Sequence, residues 1–223
     1  MSEYSVVMPV KNGENFLIHS ISSIFSQTLL PLQVLVINDH SSDSTLNLLD
    51  SLKSKFDLKV INASSNGMCS ALQQGIDQVE TEYVAFLDHD DYWNTDKQKA
   101  QINGFISRPE AKVVCSGVRN FLNDNLNPTN FTLNAKNFST SRLFSACTFR
   151  TSLLQKEIRL NPEKGHFQWL MDWWSIAQNQ KIDVEHLGEV HLYRRIHEDN
   201  NWVTENSKGR AELFNFIRNT RKK

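Results

Sequence analysis

Residues 86–93, FLDHDDYW, place three carboxylates within four positions directly after an apolar run. Asp88 and Asp90 stand two apart at the end of a predicted strand, so their side chains point to the same face. Carboxylate oxygens suit Mg²⁺ and Mn²⁺, which proteins commonly hold with one or two carboxylates and the phosphates of a substrate. A cation held there stabilises the charge that develops on a departing diphosphate. The motif taken alone is equally consistent with a solvated, Asp-rich surface turn.

Two further candidate residues follow other apolar runs. Asp39 ends LQVLVIND and can accept a hydrogen bond from the N–H of a nucleotide base. Its alternative role is a helix N-cap, although Ser42 and Asp43 already offer that function. Gly67 precedes a predicted helix, a position where backbone N–H groups can approach a phosphate.

The elements that must position these residues alternate between strand and helix. The patterns predict strands at 4–10, 32–39, 58–62, 82–88 and 112–118, and helices at 13–27, 41–56, 67–79 and 96–107. Such alternation predicts an α/β fold with a mostly parallel central sheet flanked by helices. Ligands on these sheets bind outside the carboxyl ends of the strands, where Asn12, Asp39 and Asp88 fall. Residues 119–142, rich in Asn, Thr and Ser, are expected to form a long loop.

The bulk composition indicates a soluble globular chain. It has 223 residues, 39% hydrophobic and 22% charged, with a net charge of −1, which argues against a nucleic-acid binder. No apolar stretch has the length of a membrane span, and no basic leader precedes an apolar segment, so a cytoplasmic location is expected. Cys69, Cys115 and Cys147 are odd in number and widely spaced, and are expected to be reduced thiols in the core.

Positive charge is concentrated at the C-terminal end. Residues 206–223 contain six lysines and arginines against Glu212 alone, a charge of +5. Leu213, Phe214 and Ile217 lie there at helical spacing. The segment is therefore a candidate basic amphipathic helix that rests on an anionic membrane face. A solvated helix docked on the core is the alternative.

Four stretches together resemble a known family. VVMPVKNGE, LVINDHSSDST, NGMCSALQQGI and YVAFLDHDDYW occur in the order and spacing of family 2 glycosyltransferases, which have the GT-A (Rossmann-like) fold. The resemblance covers residues 4–110 and resumes weakly at WLMDWW (169–174) and YRRIHEDN (193–200). It implies a donor-binding half at 1–110, a smaller acceptor-side region at 111–205, and the basic tail at 206–223.

The resemblance implies metal-dependent sugar transfer with inversion. The donor would be a nucleotide-sugar, with a UDP-sugar favoured. The acceptor would be a glycan or lipid-linked glycan of surface polysaccharide or lipopolysaccharide biosynthesis, reached at the inner membrane face. The divalent ion, Mn²⁺ or Mg²⁺, would be bound by Asp88, Asp90 and His197. The donor would contact Pro9, Val10, Lys11, Asn12, Asp39, Gly67, Asp88, His89 and Arg194.

Asp172 matches the catalytic carboxylate of the family, although Met171 replaces the Glu that usually precedes it. An inverting transfer needs a base that takes the proton of the acceptor hydroxyl. Burial beside apolar surface strengthens a carboxylate as a base, and nearby tryptophans can supply that surface as well as flat faces for a sugar: Trp169, Trp173 and Trp174. The alternative is an acidic residue in the first turn of a helix, stabilised by the helix dipole.

Two departures from the family's sequence pattern leave the identity of the nucleotide open. Lys11 stands where an aromatic residue often stacks on the base, and Ala71–Gln73 replaces a frequent Ala-Arg-Asn. A sugar-phosphate nucleotidyltransferase is a rival function, but such enzymes usually open with a glycine-rich phosphate loop, whereas VMPVKNGEN has one glycine. A non-catalytic nucleotide-sugar-binding protein is the second rival, favoured by the missing Glu beside Asp172.

Overall fold

The computed structural model describes residues 3–122, 143–163 and 168–197. Its described strands form one sheet in the order β3-β2-β1-β4-β7-β6-β8-β5. The strands are β1 (Tyr4–Val10), β2 (Gln33–Asn38), β3 (Lys59–Asn62), β4 (Tyr83–Phe86), β5 (Tyr92–Trp93), β6 (Val113–Leu122), β7 (Cys147–Arg150) and β8 (Val184–Ile196). The helices are α1 (Leu17–Phe25), α2 (Thr45–Leu52), α3 (Met68–Ile76), α4 (Lys97–Ser107) and α5 (Gln168–Asn179).

The first half of the sheet is parallel. Strands β3, β2, β1 and β4 run in the same direction. Every residue of β1 is buried, which explains why its sequence is a nearly continuous apolar run and not an alternating one. The strands predicted at 4–10, 32–39, 58–62 and 82–88 are thus confirmed as β1 to β4, three of them shortened at their ends.

The second half contains three changes of direction, two around β7 and one between β8 and the edge strand β5. Strand β7 is antiparallel to both β4 and β6, and β8 is parallel to β6. Two reversals restore the original direction, so β6 and β8 run the same way as β4. The carboxyl ends of β1, β2, β4, β6 and β8 therefore all lie at one edge of the sheet. Strand β6 extends to residue 122, so the expectation of a loop from 119 was wrong for residues 119–122.

Aromatic side chains join α5 to this second half. Phe144, in a short helical turn before β7, lies edge-on to Trp169 and Trp173, with ring centroids 5.2 Å apart in both pairs. Trp173 also packs edge-on to Phe149 of β7 at 5.4 Å. These rings make α5 part of the main core.

The cysteine expectation was wrong for two of the three residues. Cys115 of β6 and Cys147 of β7 form a disulfide, whereas Cys69 is a free, buried thiol. The two cysteines face each other in the antiparallel register, with Cα atoms 4.1 Å apart. Their separation of 32 residues in sequence conceals this proximity. Because disulfides are uncommon in a reducing cytosol, the cysteines no longer support a cytoplasmic location.

None of the helices in the described ranges is long and apolar enough to cross a membrane. The basic segment 206–223 lies outside the described residues.

Candidate functional site

Two loops at the carboxyl edge of the sheet are joined by polar contacts. In the loop after β1, the Asn12 side-chain oxygen accepts from the Ser42 N–H at 2.9 Å, and the Gly13 N–H donates to Thr45 Oγ1 at 2.8 Å. Gly13 also lies against the next loop of the site, because a Cβ atom there would come 2.9 Å from the His89 ring. The loops that carry the predicted residues Asn12 and His89 thus lie against each other.

Asp39 and Gly67 bind each other. Asp39 is buried at the end of β2, and both of its carboxylate oxygens lie 3.1 Å from the Gly67 N–H, which donates to them. Gly67 has φ +110°, a backbone conformation that favours glycine. His40 Nδ1 also lies 3.3 Å from Asp39 Oδ1. A carboxylate has about four lone-pair sites, so Asp39 retains capacity for a further donor such as a base N–H.

Pro9, Val10 and Lys11 differ in accessibility. Pro9 and Val10 are buried, and the Val10 carbonyl accepts from the Asp39 N–H at 2.8 Å. Lys11 is exposed. Of these three predicted contacts, Lys11 is the one whose side chain lies open to solvent.

The three carboxylates after β4 occupy different environments. Burial raises the pKa of Asp88, and the charge of Asp90 raises it further, while a hydrogen bond from Ser145 and the charges of His89 and Arg194 oppose the shift. Burial also acts to raise the pKa of Asp90. The hydrogen bond from His197 and the charges of His89 and His197 outweigh that effect and bring it down to about 2. Asp90 is therefore an anion at neutral pH.

Asp90 meets His197 across the sheet edge. Asp90 Oδ2 lies 3.0 Å from His197 Nε2, and both side chains are largely buried. The His197 ring packs against Phe16 with centroids 4.8 Å apart. Two candidate metal ligands from opposite ends of the chain are thus brought into direct contact.

This pair fits a divalent ion. Among the described residues, no three His, Cys, Asp or Glu side chains are arranged as a ready-made metal cluster. Ions of this class need only one or two protein carboxylates when a substrate phosphate completes the site. The 3.0 Å contact brings together a carboxylate oxygen and an imidazole nitrogen, which are both ligand types for such ions. An ion would replace the proton that these atoms share.

The contact between Asp91 and Arg195 was not predicted from the sequence. Asp91 turns away from solvent, and its Oδ1 accepts from the Arg195 N–H at 2.8 Å. Burial, together with the charges of Asp90 and Asp88, raises the pKa of Asp91 well above its ordinary value. An aspartate directly after the Asp88–Asp90 pair and a second arginine beside Arg194 were the only sequence signals.

Asp172 does not have the surroundings expected for it. It is partly exposed on α5 and accepts a hydrogen bond from the Gln168 side chain at 2.6 Å. The three neighbouring tryptophans are buried in the core, so they offer no open faces to a sugar: Trp169, Trp173 and Trp174. The helical period explains the difference, because the buried residues of α5 recur every three or four positions and Asp172 lies at the margin of that face.

Comparison with known proteins decides the family. A model described as "Glycosyl transferase family 2" matches residues 5–161. The chain belongs to glycosyltransferase family 2. An uncharacterized glycosyltransferase of Rickettsia bellii is 33% identical over 99 residues, which is 44% of this chain and 14% of that protein. The poly(ribitol-phosphate) beta-N-acetylglucosaminyltransferase TarS of Staphylococcus aureus is 31% identical over 103 residues, 44% of this chain and 18% of TarS. The matched region thus spans less than a fifth of either relative.

Two solved glycosyltransferase structures share the fold. S. aureus TarS 1–349 in complex with UDP matches with a TM-score of 0.69 and 21% identity, over 88% of this chain and 61% of that one. A mannosyltransferase from Pyrobaculum calidifontis in complex with GDP-Man and Mn²⁺ matches with a TM-score of 0.70 and 15% identity, over 95% of this chain and 61% of that one. The expected GT-A fold is therefore confirmed.

Proposed function

We propose that this family 2 chain is an inverting glycosyltransferase that moves a sugar from a nucleoside-diphosphate sugar to a glycan hydroxyl. The observation that carries the proposal is the 3.0 Å contact between Asp90 and His197 at the ligand-binding edge of a GT-A fold. A UDP-sugar is the favoured donor, because TarS, which is similar in sequence and fold, has been solved with UDP and with UDP-GlcNAc.

We assign donor binding to residues 1–110 and the end of β8. Asp39 accepts from the base N–H, and Lys11 and Asn12 border the base with Pro9 and Val10 behind them. Arg194 acts on the diphosphate, which is supported by its charge effect on Asp88 and Asp91. Gly67 and His89 complete the donor site.

Asp90 and His197 would hold Mn²⁺ or Mg²⁺, with Asp88 beside them. Such an ion supplies positive charge that stabilises the diphosphate as it leaves. The direct contact of a carboxylate and an imidazole at the ligand-binding edge of the sheet supports this assignment.

Residues 111–205 would form the acceptor side, with Asp172 as the general base. Asp172 takes the proton of the acceptor hydroxyl as its oxygen attacks the anomeric carbon. The bond from that carbon to the diphosphate oxygen breaks on the opposite face, which inverts the configuration. The partial exposure of Asp172 supports access by an acceptor. Phe144 packs on α5 at Trp169, and the adjacent Ser145 bonds Asp88, so α5 is linked to the acidic loop by two consecutive residues.

The biological setting we propose is surface-glycan assembly at an anionic membrane face. TarS acts on a poly(ribitol-phosphate) polymer, and the charge of +5 on residues 206–223 suits an anionic lipid surface.

Nucleotide binding tests the function directly. Melting temperatures would be measured with UDP, GDP, ADP and CDP, each with and without Mn²⁺, because a ligand of the native state stabilises it by about 2.7 kcal/mol at 100 times its dissociation constant. We expect UDP with Mn²⁺ to give the largest rise, and Asp90→Ala to lose the Mn²⁺-dependent part. Asp50→Ala, which removes an exposed carboxylate of α2, is the matched control.

Two results would contradict the proposal. One is the absence of a rise with every nucleoside diphosphate. The other is release of pyrophosphate from a nucleoside triphosphate and a sugar phosphate, which would identify a nucleotidyltransferase.

A further inference from the structure

Arg195 is a fully buried arginine next to the proposed metal site. Only 1% of its surface is exposed. Its guanidinium lies between two aromatic rings, 4.8 Å from the centroid of Phe16 before α1 and 4.7 Å from that of Phe121 on β6. Burying a cation at this depth is costly unless its donors are used. The hydrogen-bond partners of Arg195 therefore indicate its role.

The donors of Arg195 are directed at the acidic loop and at α1. Its Nε donates to the Asp90 carbonyl at 2.8 Å, and its Nη2 lies 3.1 Å from His19 Nδ1. Its backbone N–H donates to Asp91 Oδ1 at 2.8 Å. One residue of β8 thus binds both the main chain and a side chain of the loop.

Arg195 and His197 contact the same loop residue. Arg195 lies in the last two residues of β8, and His197 is the residue that directly follows the strand. Arg195 binds the main-chain carbonyl of Asp90, and His197 contacts its carboxylate. On the other side, Ser20 of α1 donates to the preceding carbonyl, that of His89, at 2.7 Å. Two consecutive loop carbonyls are therefore fixed by side chains from two different elements.

We propose that Arg195 is a positioning residue that holds the loop 88–91 in the register at which Asp90 and His197 share one ion. The inference rests on the proposed function, since it assumes that this pair binds the metal. It assigns to Asp91 the role of an acceptor for β8 and not of a metal ligand.

An arginine suits this role better than a lysine. The planar guanidinium directs donors to Asp90 and His19 at once while its faces pack on the two rings. A lysine keeps the charge, but its single ammonium group does not direct donors to Asp90 and His19 at once or pack flat on the two rings. A purely electrostatic role would thus survive Arg195→Lys, whereas a positioning role would not.

The test is Mn²⁺ binding, which electron paramagnetic resonance measures through the signal of the free ion. The titration is done with and without UDP, at a temperature well below the melting temperature of each variant. We expect Arg195→Met and Arg195→Lys to raise the Mn²⁺ dissociation constant by about 10- to 100-fold, as is typical when a residue that orients a metal ligand is lost. In assays with a UDP-sugar, the metal concentration for half-maximal rate should rise in parallel. The rate at saturating metal should stay within about threefold of wild type.

Arg150→Met is the matched control. Arg150 also lies over two rings, 5.4 Å from Tyr83 and 5.5 Å from Phe105, and it donates to the carbonyls of Pro109 and Ala111. It lies at the opposite edge of the sheet, where β7 pairs with the start of β4. Its loss should lower stability and leave Mn²⁺ binding unchanged.

The outcomes separate the two proposals. If wild type binds Mn²⁺ with UDP and a folded Arg195 variant binds it equally well, the positioning role is wrong and the proposed function stands. If Arg150→Met weakens Mn²⁺ binding as much as Arg195→Met, the effect is general loss of packing and the positioning role is also wrong. If wild type does not bind Mn²⁺ even with UDP, the metal site and this inference both fail. If Arg195→Met does not fold, the comparison of Arg195→Lys with wild type is the test.

Discussion

At the scale of single residues, the acidic loop shows how three neighbouring carboxylates coexist. Asp90 is kept ionised by His197, whereas burial raises the pKa of Asp88 and of Asp91, with the charge of Asp90 adding to both. The three carboxyl groups therefore differ in acidity, and Asp90 is the most acidic of them. Asp91 is turned to the Arg195 N–H, which leaves Asp88 and Asp90 as the pair that faces the donor in our proposal.

Asp172→Asn tests the base at this scale. Asparagine retains an acceptor for the Gln168 side chain but cannot take a proton, so we expect the transfer rate to fall by about 10²- to 10⁴-fold. Affinity for UDP with Mn²⁺, measured by calorimetry, should stay within about twofold of wild type. The exposed Asp50→Asn is the control and should change neither quantity. Loss of UDP binding in Asp172→Asn would place this residue in the donor site and contradict the base role.

Lys97 predicts a pH dependence of stability. Its Nζ is buried, 4.2 Å from the Trp93 ring centroid and 2.7 Å from Gln101 Oε1, and burial lowers its pKa well below the usual 10.5. The unfolded chain then binds the proton more readily than the folded chain. This contribution to the free energy of unfolding rises with pH up to about 10.5, by at most about 1.4 kcal/mol per pH unit.

Lys97→Met should remove this slope. Methionine fills a similar volume without a buried amine, so we expect equal or higher stability near pH 7. Urea unfolding at several values between pH 7 and 9.5 would compare it with wild type and with Lys99→Met, an exposed lysine of the same helix. Identical slopes for wild type and Lys97→Met would contradict a lowered pKa for Lys97.

At the scale of elements, α3 lies unusually close to β1. A Cβ atom at Gly75 would come 2.4 Å from Val7 Cγ1 and 3.2 Å from Ile37 Cγ1. Alanine normally stabilises a helix relative to glycine by about 1 kcal/mol, but overpacking a filled core costs about 1–3 kcal/mol. The clash outweighs the helix preference, so Gly75→Ala should lower the free energy of unfolding.

Denaturant unfolding checks this expectation. Val7→Ala removes the closest methyl groups and should make Gly75→Ala less harmful in a double-mutant cycle. Gly188→Ala, where the added methyl has no heavy atom within 4 Å, should be close to neutral. A stabilising Gly75→Ala would show that the helix can shift outward without cost.

The elements also show what the sequence can and cannot predict. The strands β1 to β4 were predicted because each is a local apolar run bounded by polar residues. Strand β5 has two residues, and its pairing with β8 joins Tyr92 to Tyr193, a contact that no local pattern contains. The helix predicted from residue 13 begins at Leu17, and residues 12–14 instead bond the loop after β2 and the first residue of α2.

The candidate site follows the same division. Asp39, Asp88 and Asp90 were identified because they end strands of a parallel sheet. The contact of Asp90 with His197 spans 107 residues, and only the family resemblance linked the two positions before the structure. The sequence suggested a diphosphate contact for Arg195 as for Arg194, but not its burial, which depends on Phe16 and Phe121 in two other parts of the chain.

At the scale of the whole molecule, the disulfide joins the two antiparallel strands next to the parallel half. A bridge that closes a loop of 32 residues stabilises a protein by about 3–4 kcal/mol through the unfolded state. We expect Cys115→Ala combined with Cys147→Ala to lower the free energy of unfolding by about that amount.

Thiol counting checks the bridge itself. Denatured without a reductant, the protein should be alkylated at Cys69 alone, and after reduction at all three cysteines. Cys69→Ala should show no alkylation before reduction. Three modified cysteines in the unreduced wild type would contradict the bridge.

The sheet as a whole brings its strand ends to one edge, and our account depends on a divalent ion binding there between Asp90 and His197. A crystal soaked with Mn²⁺ and UDP, measured at the manganese absorption edge, tests this most directly. We predict an anomalous peak within about 2.5 Å of both Asp90 Oδ2 and His197 Nε2, with the UDP diphosphate on the same ion. UDP bound in the crystal with manganese elsewhere, and the Asp90–His197 contact unchanged, would contradict the account.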